Sequence, residues 1–335
     1  MTPLASTTRT KRLPLEKLVA PEQSPAHRAE SLDWHSEFEK DRWYICPSAT
    51  PLYYAPVYRD LDRIQQLRYN QLTAVLYNEL IAFFESEFAS SVCVALSSAL
   101  GNESENELAK CLRGFVSEEQ EHIRWWRQLS RLSEPKNYRD SKDMLLCIPN
   151  GVKFLLRQLT RNPKWFPVVF WVMLALEERS LDISRRCLRM NQEDIEPHYL
   201  AVYRDHLKDE TRHVHIDWHL IDRHYASSSL PFRKMNAWLL RTLISKFFLP
   251  PNHSAIRVVR RLSQERTELA PLLPTIEKQL RSLGGDPAYQ EMMYSRETTP
   301  ITFKLFDRFP EMHRMQRVLH TYSPHTAEEN HELDS

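Results

Sequence analysis

Glycine is scarce, with 5 in 335 residues. None stands in a GxGxxG or GxxxxGK loop, so the phosphate-cradling nucleotide folds lose support. Few glycines and no alternating β-branched runs predict a mostly helical chain. Cysteine supplies no framework either. Cys46, Cys93, Cys111, Cys147 and Cys187 are odd in number and never form CxxC. That spacing predicts buried thiols in a reducing compartment. Charge of either sign is not in excess: 45 basic residues face 44 acidic ones, for a net +1. Such a balance excludes a strongly basic overall field and gives no support to nucleic-acid binding. Met1–Arg12 has no apolar run of the signal-peptide type. The most apolar window, Met235–Leu249, is interrupted by Arg241 and Lys246 and is too short to span a bilayer. A cytoplasmic protein with no membrane and no nucleic-acid partner is expected.

What the chain does have is helical periodicity. Residues 1–57 are rich in Pro, Ser, Thr and charge and read as an N-terminal arm, partly disordered, with Pro51–Pro56 extended. From about Asp60 to Leu100 apolar residues recur at three- and four-residue steps, long enough for a bend to be expected, and Gly101-Asn102 is a stop. Further helices are expected at about 103–132, 151–159, 165–190 and 197–225. The third of these is apolar all round in its first half, Phe166–Leu176, which predicts a central position in the core. Shorter helices follow at about 232–248, 252–266, 271–283 and 310–321. The expected division is an arm (1–57), a bundle core with one further helix (58–250), C-terminal helices packed on it (251–322) and a disordered tail (323–335). The fold class expected is all-α, a ferritin-like four-helix bundle with additional C-terminal helices.

The chemistry lies in two stretches. His206-x3-Glu210-x2-His213 puts two imidazoles and a carboxylate at i, i+4 and i+7, on one helical face. Those groups are transition-metal ligands. Upstream, Glu119 and His122 form a second Glu-x-x-His. Two such helices, with one Glu from each of two others, make a dinuclear site inside a four-helix bundle. Counting from the first hairpin turn near Asn102, Glu119 lies 17 residues after it and Glu85 lies 17 before it, which favours Glu85 over Glu79 and Glu87. At the second turn, near Asp194, the same count favours Glu178. The apolar face through Phe170, Met173, Leu174, Leu181 and Ser184 favours Glu177 instead. The residues alone leave both open. His215, His219 and His224 read as surface or packing residues, and Glu118 and Glu121 as solvated or supporting the site.

The order Glu … Glu-x-x-His … Glu … His-x3-Glu-x2-His resembles the p-aminobenzoate N-oxygenase family of ferritin-like diiron proteins. The distinctive feature is the extra histidine, His206. Asp209-Glu210-Thr211-Arg212-His213, Pro197-His198 and Arg68-Tyr69-Asn70 are similar to the family as well. The family's third-helix ligand is followed by a bulky apolar residue and then a small amide or acid, which Leu181 and Asp182 supply for Glu178. The resemblance therefore implies the metal set Glu85, Glu119, His122, Glu178, His206, Glu210 and His213, with Glu119 and Glu210 bridging. It implies two iron ions, O2, an external electron donor or reductase, and a small-molecule or carrier-tethered amine oxidised to hydroxylamine, nitroso or nitro. Iron is the metal the family implies, with manganese left open by the residues, the pathway is expected to be specialised-metabolite biosynthesis, and a homodimer is admitted. Ile81, Phe88, Leu174 and Leu181 are expected to wall the site. Competing readings keep the diiron site for C–H hydroxylation or desaturation, make the chain a ferritin-like iron protein without enzymatic activity, or treat the Glu and His residues as ion-pair networks in a scaffold.

Overall fold

The computed structural model describes residues 11–19, 33–100, 106–138, 143–251 and 253–325. Among them the regular structure is helical, and β pairing is limited to one bridge between Trp43 and Ile195. Helix α1 spans Arg63–Phe84 and begins at a capping box. Asp62 accepts from the Gln65 amide at 2.8 Å, and Gln65 accepts from the Asp62 amide at 3.0 Å, satisfying two amides at the helix start. The departure from one straight α-helix takes the form of a π turn, Glu85–Ala89, before α2, Ser90–Leu100. Inserted turns of this kind concentrate at functional sites, and this one starts at Glu85. Helix α3 (Glu107–Ser133) is capped by Asn106, which accepts from the Leu108 and Ala109 amides. The expected stop at Gly101-Asn102 lies outside the described residues.

Helix α4 (Asn150–Arg161) crosses to α5 (Val168–Leu188), which hairpins into α6 (Pro197–Leu220), where Pro197 takes the first position. The contacts define the bundle: α1 and α2 lie on α3, α5 on α6, and α3 on α6. Val168–Ala175 is wholly buried, as an apolar-all-round helix requires. Beyond the bundle come α7 (Leu230–Leu243), α8 (His253–Glu265), α9 (Leu273–Ser282), α10 (Pro287–Met293) and α11 (Pro300–Arg308). Helix α8 lies along α1, and α11 packs on α5. The helices α10 and α11 were not foreseen, because seven and nine residues are too few to display a periodicity. The helix expected at 310–321 is a 3-10 turn, Pro310–Arg317.

Two further expectations need correction. Pro51–Pro56 is not an extended segment but two 3-10 turns, Pro51–Tyr54 and Pro56–Asp60. Only the residues before the prolines, Thr50 and Ala55, are extended, which is where the ring imposes its restriction. The most apolar stretch is also not Met235–Leu249. The continuous helix Arg63–Ala99 is long and apolar enough to cross a bilayer, with a window of mean hydropathy 1.5. The core helix of a bundle satisfies the same criterion, and this one carries Glu79 and Glu85 with their buried partners. The cysteines form no disulfide; Cys93, Cys111 and Cys187 are buried, whereas Cys147 is exposed and Cys46 only half-buried.

The arm is tied to the bundle by polar side chains of α1 and α6. Asn70 accepts from the Tyr44 and Ile45 amides and donates to the Ile45 carbonyl. Tyr69 accepts from the Leu52 amide at 2.8 Å, and Arg68 pairs with Glu134 and Glu265. His198 stacks on Trp34 and bonds Glu196 at 2.7 Å. Tyr69, Asn70 and His198 thus hold the arm, whereas Arg68 ties α1 to the ends of α3 and α8.

Glu79, an alternative to Glu85 in sequence, has a structural use. Its carboxylate accepts from the Tyr138 hydroxyl and the Met144, Leu145 and Leu146 amides. Glu79→Ala leaves two buried donors, Tyr138 and Leu145, and two half-buried ones, Met144 and Leu146, without an acceptor. It is expected to lower unfolding free energy by about 2–4 kcal/mol in urea titration while the folded protein still binds metal.

Candidate metal centre

The site is assembled from all four helical arms of the bundle, with two turns of α6 contributing. Glu85 comes from the π turn, Glu119 and His122 from α3, Glu177 from α5, and His206, Glu210 and His213 from α6. All seven are at most 3 % exposed. They fall into two groups whose donor atoms lie within 4.8 Å of one another: Glu85, His122, His206 and Glu210, and Glu119, Glu177, Glu210 and His213. Glu210 belongs to both. Its Oε1 lies 2.9 Å from His206 Nε2, 3.5 Å from His122 Nδ1 and 3.6 Å from His213 Nδ1. Glu119 reaches both other histidines, 3.2 Å to His213 Nδ1 and 3.9 Å to His122 Nδ1. His206 Nε2 stands 3.3 Å from Glu85 Oε1.

Glu178 is not in this constellation. Its two oxygens accept from the Ile301 and Thr302 amides at 2.7 and 2.8 Å, at the N-terminus of α11. The adjacent Glu177 takes the place expected for it. One residue is a 100° rotation on a helix, and hairpin counting does not resolve a single residue. The helical face does: Phe170, Met173, Leu174, Leu181 and Ser184 are all buried with Glu177. Asp182, which favoured Glu178 by resemblance, accepts instead from Arg179 and Arg186. Backbone amides at a helix start make an anion site, so Glu178 has its partner there.

Two acids not assigned as ligands in sequence orient the imidazoles. Asp209 Oδ2 lies 3.2 Å from His122 Nε2, and Glu118 Oε2 lies 3.0 Å from His213 Nε2. A carboxylate accepts, so each Nε2 donates and each Nδ1 of a neutral ring keeps a free lone pair toward the cluster. Arg212 bridges the two acids. Each supporting acid immediately precedes a cluster Glu, which was the available signal: Glu118-Glu119 and Asp209-Glu210. His206 Nδ1 meets Ser180 Oγ at 3.3 Å. Phe115 stacks on His213, Trp126 meets His206 edge-on, and Trp126 Nε1 donates to Glu85 at 3.3 Å. These aromatics wall the cluster. Phe88, Leu174 and Leu181 lie in the main apolar core, whereas Ile81 is only partly buried and packs elsewhere.

Among the described residues, the atoms facing the centre lack hydrogen-bond partners: Glu85 Oε2, both oxygens of Glu119 and Glu210, Glu177 Oε1, His122 Nδ1 and His213 Nδ1. Burial and the neighbouring Glu85 push the Glu119 carboxyl up to about 7. Burial and Glu210 raise Glu177 well above the usual range. Burial works against a charged His122, yet the bond to Asp209 and the nearby negative charge of Glu85 and Glu119 hold its imidazole up at about 10. Four carboxylates and three imidazoles converging in a dry core fit a pair of divalent ions. His215, His219 and His224 stand apart: the first two bond the Leu13 backbone, and His224 lies on Phe170.

The fold and the donor set define a class, a ferritin-like helical bundle with candidate sites for two metal ions. A family model, P-aminobenzoate N-oxygenase AurF, matches residues 15–283. The chain belongs to that family. Comparison with curated proteins gave no match.

Glu177→Gln is expected to reduce bound iron below about two per chain by metal analysis, while Glu178→Gln retains it and speeds amide exchange at Ile301 and Thr302. Glu118→Ala and Asp209→Ala are each expected to weaken metal affinity by about 10–100-fold in competition with a chelator.

Proposed function

We propose that the chain is a diiron amine N-oxygenase in which Glu85, Glu119, His122, Glu177, His206, Glu210 and His213 hold the metals. When bound, the two irons supply reductive activation of O2. The chain does the rest. Four carboxylates against two Fe(II) leave a neutral cluster, which lowers the cost of burying it. Asp209 and Glu118 hold His122 and His213 with their lone pairs inward. Phe115, Trp125 and Trp126 exclude water on the histidine side. An amine nitrogen, nucleophilic while unprotonated, is the group oxidised. The family favours an aminoaryl substrate. Hydroxylamine, nitroso or nitro products follow from successive rounds, each needing electrons from an external donor.

One observation supports this reading over a generic dimetal protein. The third histidine, His206, lies in the same donor group as Glu85, His122 and Glu210, one turn before Glu210. An added neutral imidazole fills a coordination position that the usual four-Glu, two-His set leaves to solvent or O2. The test is to load the protein anaerobically with Fe(II), add O2 and a chemical reductant, and assay a panel of arylamines, p-aminobenzoate among them, by mass spectrometry. N-oxygenated products are expected with about two irons per chain. His206→Ala is expected to slow turnover by about ten-fold or more while most of the iron remains. Full N-oxygenation by that variant would overturn the role given to the third histidine. Chelation of the metal is expected to lower Tm, because binding free energy contributes to folding.

A further inference from the structure

The near-neutral total conceals an uneven distribution. Residues 144–176 and 223–264 contain no Asp or Glu but four and eight Lys or Arg respectively. The remaining chain carries 33 basic against 44 acidic residues. The fold joins the two acid-free stretches. The Cys147 amide donates to Ser254 Oγ at 2.9 Å, Arg257 donates to the Leu146 carbonyl, and the Val168 amide donates to Asn236 Oδ1 at 3.1 Å. Seven of the twelve large apolar side chains exposed among the described residues lie in these stretches, Phe154, Trp165, Trp238 and Phe247 among them. Arg157 and Arg233 are paired with Glu87 and Glu311. Arg161, Lys164, Lys234 and Lys246 have no ion pair among the described residues. Exposed aromatics and unpaired cations on stretches that themselves carry no acid are the composition of a docking surface for an acidic partner.

Position says which partner. Helix α4, in the first acid-free stretch, packs on α2 and on the π turn Glu85–Ala89. Arg157 Nη2 lies 3.5 Å from Glu87 Oε2, two residues from Glu85 in the metal cluster. The basic surface therefore backs onto the segment that carries a cluster carboxylate. Electrons cross packed protein without a channel, whereas a tethered substrate needs one. Resting on the diiron reading above, we propose that the surface formed by α4, the α4–α5 turn around Trp165, and α7 docks a small acidic electron-transfer protein that reduces the metal centre. Opposite charge steers its approach, and the Phe and Trp side chains bury the contact.

The probe is an acidic [2Fe–2S] ferredoxin, kept reduced without O2 and mixed with the iron-loaded, oxidised full chain. Reduction is followed by loss of the oxidised centre's absorption. For the parent protein the rate is expected to fall steeply as ionic strength rises from about 20 to 300 mM. Lys153→Glu/Arg161→Glu/Lys164→Glu is expected to slow it by about ten-fold or more at low salt, and Arg189→Glu, at the far end of α5, to leave it unchanged. Reduction by dithionite is expected to be equal in all three. A salt-independent rate in the parent overturns the docking site whether or not the triple variant folds. So does a triple variant with parental ferredoxin kinetics, including the case where it has instead lost co-sedimentation with phosphatidylglycerol vesicles. A parent chain that binds no iron, or that dithionite does not reduce, fails earlier and removes the diiron reading itself. One that dithionite reduces but ferredoxin reduces without charge dependence removes the docking site alone.

Discussion

Four carboxylates of one sign are gathered where almost no water reaches. Glu85, Glu119, Glu177 and Glu210 sit in the middle of a bundle whose walls are aromatic and aliphatic. Their mutual repulsion and lost hydration are compensated by protons or by cations. Burial and like charge raise Glu119 and Glu177, and His122 is raised against its burial by Asp209 and the cluster acids. Eight inward-facing atoms have no hydrogen-bond partner among the described residues. A pair of divalent cations would satisfy them together. The rest of the bundle can be read as what holds this arrangement in place: capped helices meeting at one level, a π turn that presents Glu85, and acids behind the histidines.

The support is nearly symmetric. Each Glu-x-x-His helix carries an acid just before its cluster Glu, and that acid reaches across to the other helix's histidine. Glu118 on α3 serves His213 on α6, and Asp209 on α6 serves His122 on α3. Arg212 contacts both acids. The two half-sites are thus cross-braced, and neither histidine is oriented by its own helix alone.

Much of this was legible in the sequence, because a helix face is a local property. The i, i+4, i+7 spacing identified His206, Glu210 and His213 as one set, and equal spacing about the first hairpin selected Glu85 over Glu79. Glu79 could not be excluded by pattern, since its partners on 138–146 come from a connection without periodicity. Glu178 was preferred over Glu177 through the resemblance, on Leu181 and Asp182 after it, and no local pattern could show where its carboxylate is held. Its true partner is α11, more than a hundred residues on and too short to announce itself. The π turn and the chain's uneven charge are likewise invisible to helical periodicity and to a total charge.

The adjacency of Glu177 and Glu178 ties two distant parts of the chain into one mechanical unit. A single peptide link separates a carboxylate in the metal cluster from one that anchors the start of α11. Any rotation of that turn of α5 moves both. The C-terminal segment is therefore an anchor as well as a cover: the start of residues 300–308 is fastened to the same turn of α5 that presents Glu177, so a distant stretch of chain shares the backbone that holds a cluster carboxylate.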